Sequence, residues 1–309
     1  MGRKFISSIP IALCGVALAV AALGNLLLLP FGPTVRYICG VLSVALLCLF
    51  ALKLFADRAH AREELKTPIP LSVLPTSTMT LMLLSTYIRP HLPGLALFVW
   101  YAAVVIHLGI MLVFFKRFVV GLKISNVFPT WFIAFVGIVT ASVTAPAMGA
   151  VAIGQAAFYL GLVLYFVAFS LIVRRMTMPG LFFPQPARPT IAIFTAPMSL
   201  LTVGYFSSFE QQNETLVYLM LAVALASYIY VTVKMLTSLL AIRFYPTYSA
   251  FTFPYVISAL AFRLGAGFLA ERGIYFLVPI AHASQWIAVA VVVFVIVHYV
   301  MYFRFWLKF

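Results

Sequence analysis

Ten long apolar runs constrain this chain more than any other feature of its sequence. An α-helix needs about 20 apolar residues to cross a bilayer, and the runs between charged or proline- and glycine-rich breaks reach that length. The strands of a membrane barrel would be shorter and would alternate strictly, which these runs do not. The sequence therefore predicts an all-α polytopic membrane protein. The predicted spans are 8–30, 34–56, 70–88, 92–115, 126–145, 150–173, 189–207, 214–238, 247–268 and 278–303.

The connections between these runs are short. The longest are residues 57–69 and 174–188, and neither is long enough to form a domain of its own. Residues 1–309 are therefore predicted to form a single transmembrane domain.

The net charge of +14 at first suggests a nucleic-acid partner, but the distribution of the charge indicates topology instead. If the N-terminus is cytoplasmic, every Lys and Arg lies on the cytoplasmic side except Arg36, Arg89, Arg263 and Arg272. The positive-inside rule then places both termini in the cytoplasm. We expect a multi-pass protein of the cell membrane, in contact with the lipid bilayer and with no nucleic-acid partner.

Proline recurs near the start of every odd-numbered predicted span. Pro10, Pro75, Pro129, Pro189 and Pro246 are separated by about one helical hairpin each, and all but the first are followed by threonine. Similarity at a fixed spacing is typical of repeat architectures. The repeat here is a hairpin of one proline-marked helix and one ordinary helix.

The proline-marked helices are expected to bend and to lie inside the bundle. Proline beyond the first turn removes a backbone hydrogen bond and kinks the helix, and the freed carbonyl needs a partner that lipid does not offer. These helices also contain most of the hydroxyl and small side chains, as in "PTSTMT" and "TASVTAP". The pattern predicts five helical hairpins, with an inner ring of five kinked odd helices around a pore and an outer ring of five even helices. The alternative is that the prolines only punctuate spans, as in many transporters.

No carboxylate lies in the middle of a predicted span. All six acidic residues fall in loops or at span ends, namely Asp57, Glu63, Glu64, Glu210, Glu214 and Glu271. Cation-coupled carriers and proton relays commonly depend on ionisable groups inside the membrane. The composition therefore favours anions or neutral solutes as cargo.

Backbone dipoles and hydroxyl groups could attract an anion without a buried cation. If all five odd helices start on one face, their N-termini present partial positive charges to the same region. Hydroxyl groups can replace part of the hydration shell of an ion. The candidate pore-lining residues are Thr76, Thr140, Thr195 and Thr252. The alternative for at least half of the hydroxyls is a bond to the carbonyl of their own helix.

The chain has no set of side chains typical of an enzyme, a metal centre or a cofactor site. It lacks a pair of histidines at ligand spacing, a C-x-x-C motif and a phosphate-binding loop. Cys14, Cys39 and Cys48 all fall within predicted spans at unpaired spacing. We therefore expect no enzymatic activity, no metal and no cofactor.

Four phrases in the odd spans resemble a known family. They are "PIALCG", "LPTSTM", "RPTIAIFTAPMSLLTVGY" and "SAFTFPYVISALA", in that order along the chain. Together they resemble the slow-type anion channels of plant guard cells and their bacterial relatives, known as tellurite-resistance or dicarboxylate transporters. The resemblance covers essentially the whole chain. It implies a homotrimer with one pore in each subunit.

The resemblance also implies a pore closed by a phenylalanine of the F-x-F-P phrase. That residue is Phe253 here, with Phe251 as the neighbouring candidate. Proline restricts the backbone of the residue before it, so Pro254 sets the direction of Phe253. From the residues alone, packing of Phe253 in the bundle core is an equal alternative. The prolines expected to kink the helices and shape the pore are Pro10, Pro75, Pro129, Pro197 and Pro254.

The leading functional hypothesis is a passive channel for small inorganic anions such as chloride and nitrate. The alternative is a secondary transporter of C4-dicarboxylates, sulfite or tellurite-type oxyanions.

Overall fold

The computed structural model describes residues 2–307, and these residues form helices joined by short turns, with no strand among them. Lys308, counted above among the cytoplasmic basic residues, lies outside this range. The α-helices are α1 Gly2–Ser8, α2 Leu13–Phe31, α3 Pro33–Ala56, α4 Arg58–Glu64, α5 Pro68–Val73, α6 Thr76–Ile88, α7 Pro93–Phe114, α8 Trp131–Val136, α9 Val139–Met148, α10 Val151–Thr177, α11 Ala196–Ser208, α12 Glu214–Lys234, α13 Thr252–Ala270 and α14 Leu277–Leu307.

Ten helical segments are long and apolar enough to cross a membrane. They are Leu13–Phe31, Pro33–Ala56, Pro68–Ile88, Pro93–Val119, Trp131–Met148, Val151–Thr177, Gln185–Ser208, Glu214–Leu239, Pro246–Ala270 and Leu277–Phe305. We number them span 1 to span 10. Each coincides with one predicted span to within a few residues at most ends, so the predicted all-α membrane fold is confirmed.

All five odd spans are interrupted or preceded by a turn, and in four of them this lies near a proline. Two of them begin as 3-10 helices, Gln185–Thr195 in span 7 and Pro246–Phe251 in span 9, and continue as α11 and α13. Span 3 breaks between α5 and α6, at Pro75. Span 5 breaks between α8 and α9, and α2 of span 1 follows a turn that contains Pro10. The interruptions in spans 1, 3, 7 and 9 agree with the missing N–H group of proline, whereas the break in span 5 lies at Gly137 and Ile138, away from both Pro129 and Pro146.

Odd and even spans differ sharply in burial. In the odd spans at least 72% of the most apolar window is buried inside the protein, whereas in the even spans at most 33% is buried. Each even span packs against the odd span of its own hairpin. The odd spans also contact one another in order, α2 with α6, α6 with α9, α9 with α11 and α11 with α13, and α13 returns to α2.

Side chains from neighbouring spans bind carbonyl oxygens that the prolines leave free. Pro30 in α2 has no N–H group for the carbonyl of Leu26, and Arg263 of span 9 donates to that oxygen at 2.6 Å. Pro146 in α9 likewise leaves the carbonyl of Ser142 free. The hydroxyl group of Ser208 in α11 donates to it at 2.7 Å. The carbonyl groups freed by these two prolines inside α2 and α9 are therefore satisfied by tertiary contacts, as an apolar solvent requires.

Replacing Arg263 with methionine is expected to lower the melting temperature of the purified protein in detergent, because the Leu26 carbonyl loses the one side-chain donor that it has among the described residues. An unsatisfied buried carbonyl costs about 1–3 kcal/mol. The matched background is Pro30→Ala, in which the backbone can supply the missing N–H group. In the Pro30→Ala background Arg263→Met should lower the melting temperature clearly less. An equal decrease in both backgrounds would contradict the role of Arg263 as hydrogen-bond donor to the Leu26 carbonyl.

Candidate functional site

One large cavity lies among the odd spans at the level of their breaks. Its volume is about 240 Å³. All five odd spans or their first turns contribute to its wall, and no even span does. The lining residues are Pro10, Ile11, Ala12, Gly15, Leu18, Glu64, Ile69, Pro70, Val73, Thr76, Met79, Thr130, Phe132, Ile133, Val136, Gly137, Thr190, Ile193, Ala196, Pro197, Leu200, Pro246, Thr247, Ser249, Ala250, Phe253 and Pro254.

The regular α-helices of the odd spans begin beside this cavity. α11 and α13, for example, begin at Ala196 and Thr252, directly next to the lining residues Pro197 and Phe253. The first N–H groups of α2 are already bound in i to i−3 turns, such as Leu13 to Pro10. What α2 offers an anion at this end is therefore mainly its dipole rather than free donors.

A second, small cavity of about 30 Å³ lies further along the same spans. Its wall consists of Ala22, Asn25, Leu83, Thr140, Val143, Leu200, Phe253, Val256, Ile257 and Leu260. Leu200 and Phe253 are the two residues that line both cavities. They therefore separate a wide space on one side from a narrow space on the other.

Phe253 differs from its neighbour Phe251. Phe253 borders both cavities, is 8% exposed and has no aromatic ring partner among the described residues. Phe251 is fully buried, lines neither cavity and packs its ring edge-on against Tyr248, with centroids 5.0 Å apart. Of the two candidates for the gate, Phe253 is the one placed between the cavities.

The other predicted pore residues divide between the cavities and the interior. Thr76 lines the large cavity and Thr140 the small one, whereas Thr195 and Thr252 are buried and line neither. The prolines in the wall of the large cavity include Pro10, Pro197 and Pro254. Pro75 and Pro129 lie just before α6 and α8 and outside both walls.

Most hydroxyl groups of the odd spans bind their own helix. Thr76 donates to the carbonyl of Val73, and Thr252 to that of Ser249. Thr195 lies 3.3 Å from the carbonyl of Ala192. Thr140 is the exception among the four predicted pore-lining threonines, because its buried hydroxyl oxygen has no hydrogen-bond partner in the described part of the chain.

The charged lining residue Glu64 was not predicted from the sequence. It lies at the end of α4, and its carboxylate oxygen is 2.6 Å from the ammonium group of Lys53 and 2.9 Å from Nε2 of His60. Lys53 is a charged residue in an apolar helix, and its side chain is almost completely buried. A lysine inside an apolar run needs a partner, and this is the signal that could have identified the pair.

Within residues 2–307 no group of three or more His, Cys, Asp or Glu residues could bind a metal ion. His107, which lies inside span 4, is fully buried and contacts the hydroxyl group of Thr78 through Nδ1 at 2.8 Å. Its Nδ1 is therefore hydrogen-bonded in the core, whereas its buried Nε2 has no partner among the described residues.

Comparison with known protein families identifies a match for this chain. The model of a family described as SLAC1, voltage-dependent anion channel, matches residues 8–307, which is nearly the whole chain. No curated protein matches the chain.

Proposed function

Because this chain belongs to the voltage-dependent anion channel family, we propose that it is a passive channel for small inorganic anions such as chloride and nitrate. The observation that supports this most directly is the pair of cavities that meet at Phe253. In this proposal the two cavities are parts of one conduit, and the phenylalanine ring closes it as a hydrophobic constriction.

The proposed architecture is an inner ring of the five odd spans around the pore, with the five even spans outside. It is supported by the closed cycle of contacts from α2 through α13 back to α2, and by the contrast in burial between odd and even spans. The even spans expose their apolar side chains, as helices that face lipid do.

Charge in the walls of the two cavities does not favour a cation over an anion. Among the described residues Glu64 is the one carboxylate in either wall, and Lys53 compensates its charge. The other polar groups of the large cavity are hydroxyls such as Thr130, Thr190 and Ser249. Members of the family are channels or transporters, so we propose no enzymatic reaction.

A carrier of C4-dicarboxylates, sulfite or tellurite-type oxyanions is the second candidate. The size of the large cavity favours it, since about 240 Å³ is room for more than a single halide. Against it, no unpaired Lys or Arg side chain lines the cavity to bind a carboxylate pair, and such pairs usually bind arginine. We therefore place the channel first.

The orientation and assembly are proposals as well. The distribution of Lys and Arg supports cytoplasmic termini in the cell membrane, which would open the large cavity toward the cytoplasm. The homotrimer with one pore per subunit follows from the resemblance alone, and native mass spectrometry of the detergent-solubilised protein tests it.

The channel hypothesis is tested with purified protein in liposomes. A potassium gradient with valinomycin sets the membrane potential, and an anion-quenched dye reports chloride or nitrate influx. A channel gives influx that follows the potential, does not saturate at millimolar anion and leaves the internal pH unchanged. Influx that saturates and is accompanied by proton movement would instead support the carrier.

A further inference from the structure

We propose that the small cavity is a binding site for one partly dehydrated monovalent anion, with the hydroxyl group of Thr140 and the side-chain amide of Asn25 as its donors. This inference rests on the proposed function and adds to it a site beyond the Phe253 constriction.

The first observation is the unpaired hydroxyl group of Thr140. The residue is 1% exposed, lines the small cavity and forms no side-chain hydrogen bond within the described residues. One turn further along, Thr144 binds the carbonyl of Thr140 in the usual way for a helical threonine. A buried hydroxyl without a partner costs free energy. It is explained if a solute in the cavity accepts a hydrogen bond from it.

The second observation is the orientation of Asn25, the other polar residue in this wall. Nε of Arg36 donates to Oδ1 of Asn25 at 2.9 Å. Because a guanidinium group only donates, it identifies this atom as the oxygen and leaves the NH₂ group with two hydrogens to donate. No other hydrogen bond of the Asn25 side chain is formed among the described residues.

The third observation is positive charge beside the cavity. Arg36 is bound to Asn25 and to Thr86, and Arg263 is bound to the carbonyl of Leu26, next to Asn25 in the chain. Neither guanidinium group has a carboxylate partner in the described part of the chain. Two uncompensated cations near a site with neutral donors favour an anion over a neutral solute.

The size of the site fits a single small ion. A volume of about 30 Å³ exceeds the roughly 10–15 Å³ that one water molecule requires. The remaining wall is aliphatic apart from Phe253, so an ion here keeps few of its water molecules. Donor groups should therefore matter most for chloride, which holds its hydration shell more tightly than iodide.

The experiment uses the full-length protein with Phe253→Ala as the background, so that the small cavity is accessible from the large one. Thr140→Val is expected to lower chloride conductance at least about tenfold, the effect of losing one hydrogen bond to a charged group. It should also raise iodide permeability relative to chloride. Thr140→Ser, which keeps the hydroxyl group, should retain most of the current. The matched control is Thr202→Val, since that buried hydroxyl group binds the carbonyl of Met198 and lines neither cavity.

A second measurement does not depend on conduction. Crystals of the Phe253→Ala protein grown in bromide should show an anomalous peak within hydrogen-bond distance of Oγ1 of Thr140, and the peak should be absent in Thr140→Val. A peak there without any anion current would retain the site and overturn the channel. Anion current with no peak, and with equal currents in Thr140→Val and Thr140→Ser, would overturn the site and retain the channel.

Discussion

Replacing Phe253 with alanine is expected to raise anion conductance at least about tenfold over the parent protein. The ring borders both cavities and has no aromatic ring partner among the described residues, and Leu200 is the other residue that both walls share. Moving a side chain off its rotamer costs about 0.5–1.5 kcal/mol, which accounts for up to roughly a tenfold change. Removal of an apolar constriction that excludes water adds to this. The measurement is current in oocytes or planar bilayers, normalised to surface protein.

The matched control is Phe251→Ala. This variant removes the same ring two residues away, but from a fully buried position against Tyr248 that lines neither cavity. We expect it to affect stability rather than conductance. Equal currents in Phe253→Ala and the parent, or an increase in Phe251→Ala as large as in Phe253→Ala, would contradict the assignment of the gate.

The second large effect is expected at Glu64 and Lys53. Glu64→Gln removes the carboxylate from the cavity wall and leaves the charge of Lys53 uncompensated. A unit charge about 8 Å from an anion changes its energy by about 0.5–2 kcal/mol between water-like and protein-like dielectric constants. We expect conductance at low salt to rise about threefold or more in Glu64→Gln. Lys53→Met should lower it by a similar factor, because the carboxylate then repels anions.

The double variant separates charge from packing. Lys53→Met with Glu64→Gln restores neutrality and should return conductance close to the parent value. The differences between the two single variants and the parent should shrink at 1 M salt, where the Debye length is about 3 Å. A decrease in conductance in both single variants that salt does not change would indicate damage to the fold and would contradict the electrostatic explanation.

The spans were predictable because each is a long run of mostly apolar residues, which the hydropathy of the sequence shows directly. The proline positions also indicated which spans would be interrupted, since Pro75, Pro197 and Pro254 lie at or beside changes in helix geometry. Burial of the odd spans followed from the same reasoning, because freed carbonyl groups cannot face lipid.

Side-chain pairings between distant spans could not be predicted in the same way. Nothing in the local sequence indicates that Arg263 contacts Leu26 or that Ser208 contacts Ser142. Hydroxyl groups look alike in sequence, yet Thr195 and Thr252 lie in the interior and Thr140 lies at a cavity. The face of a bent helix that points into the bundle depends on the angle of the bend. The sequence does not specify that angle.

The contact between Arg263 and Leu26 has a consequence for biosynthesis. It joins residues 237 positions apart, so the Leu26 carbonyl that Pro30 leaves free in span 1 has no side-chain partner among the described residues until span 9 has been inserted. An unsatisfied carbonyl in hydrocarbon costs several kcal/mol. We therefore expect the nascent chain to shelter this group within the translocon or against water until the last hairpin arrives. Truncated chains that stop before span 9 should be recognised as unfinished by quality-control proteases.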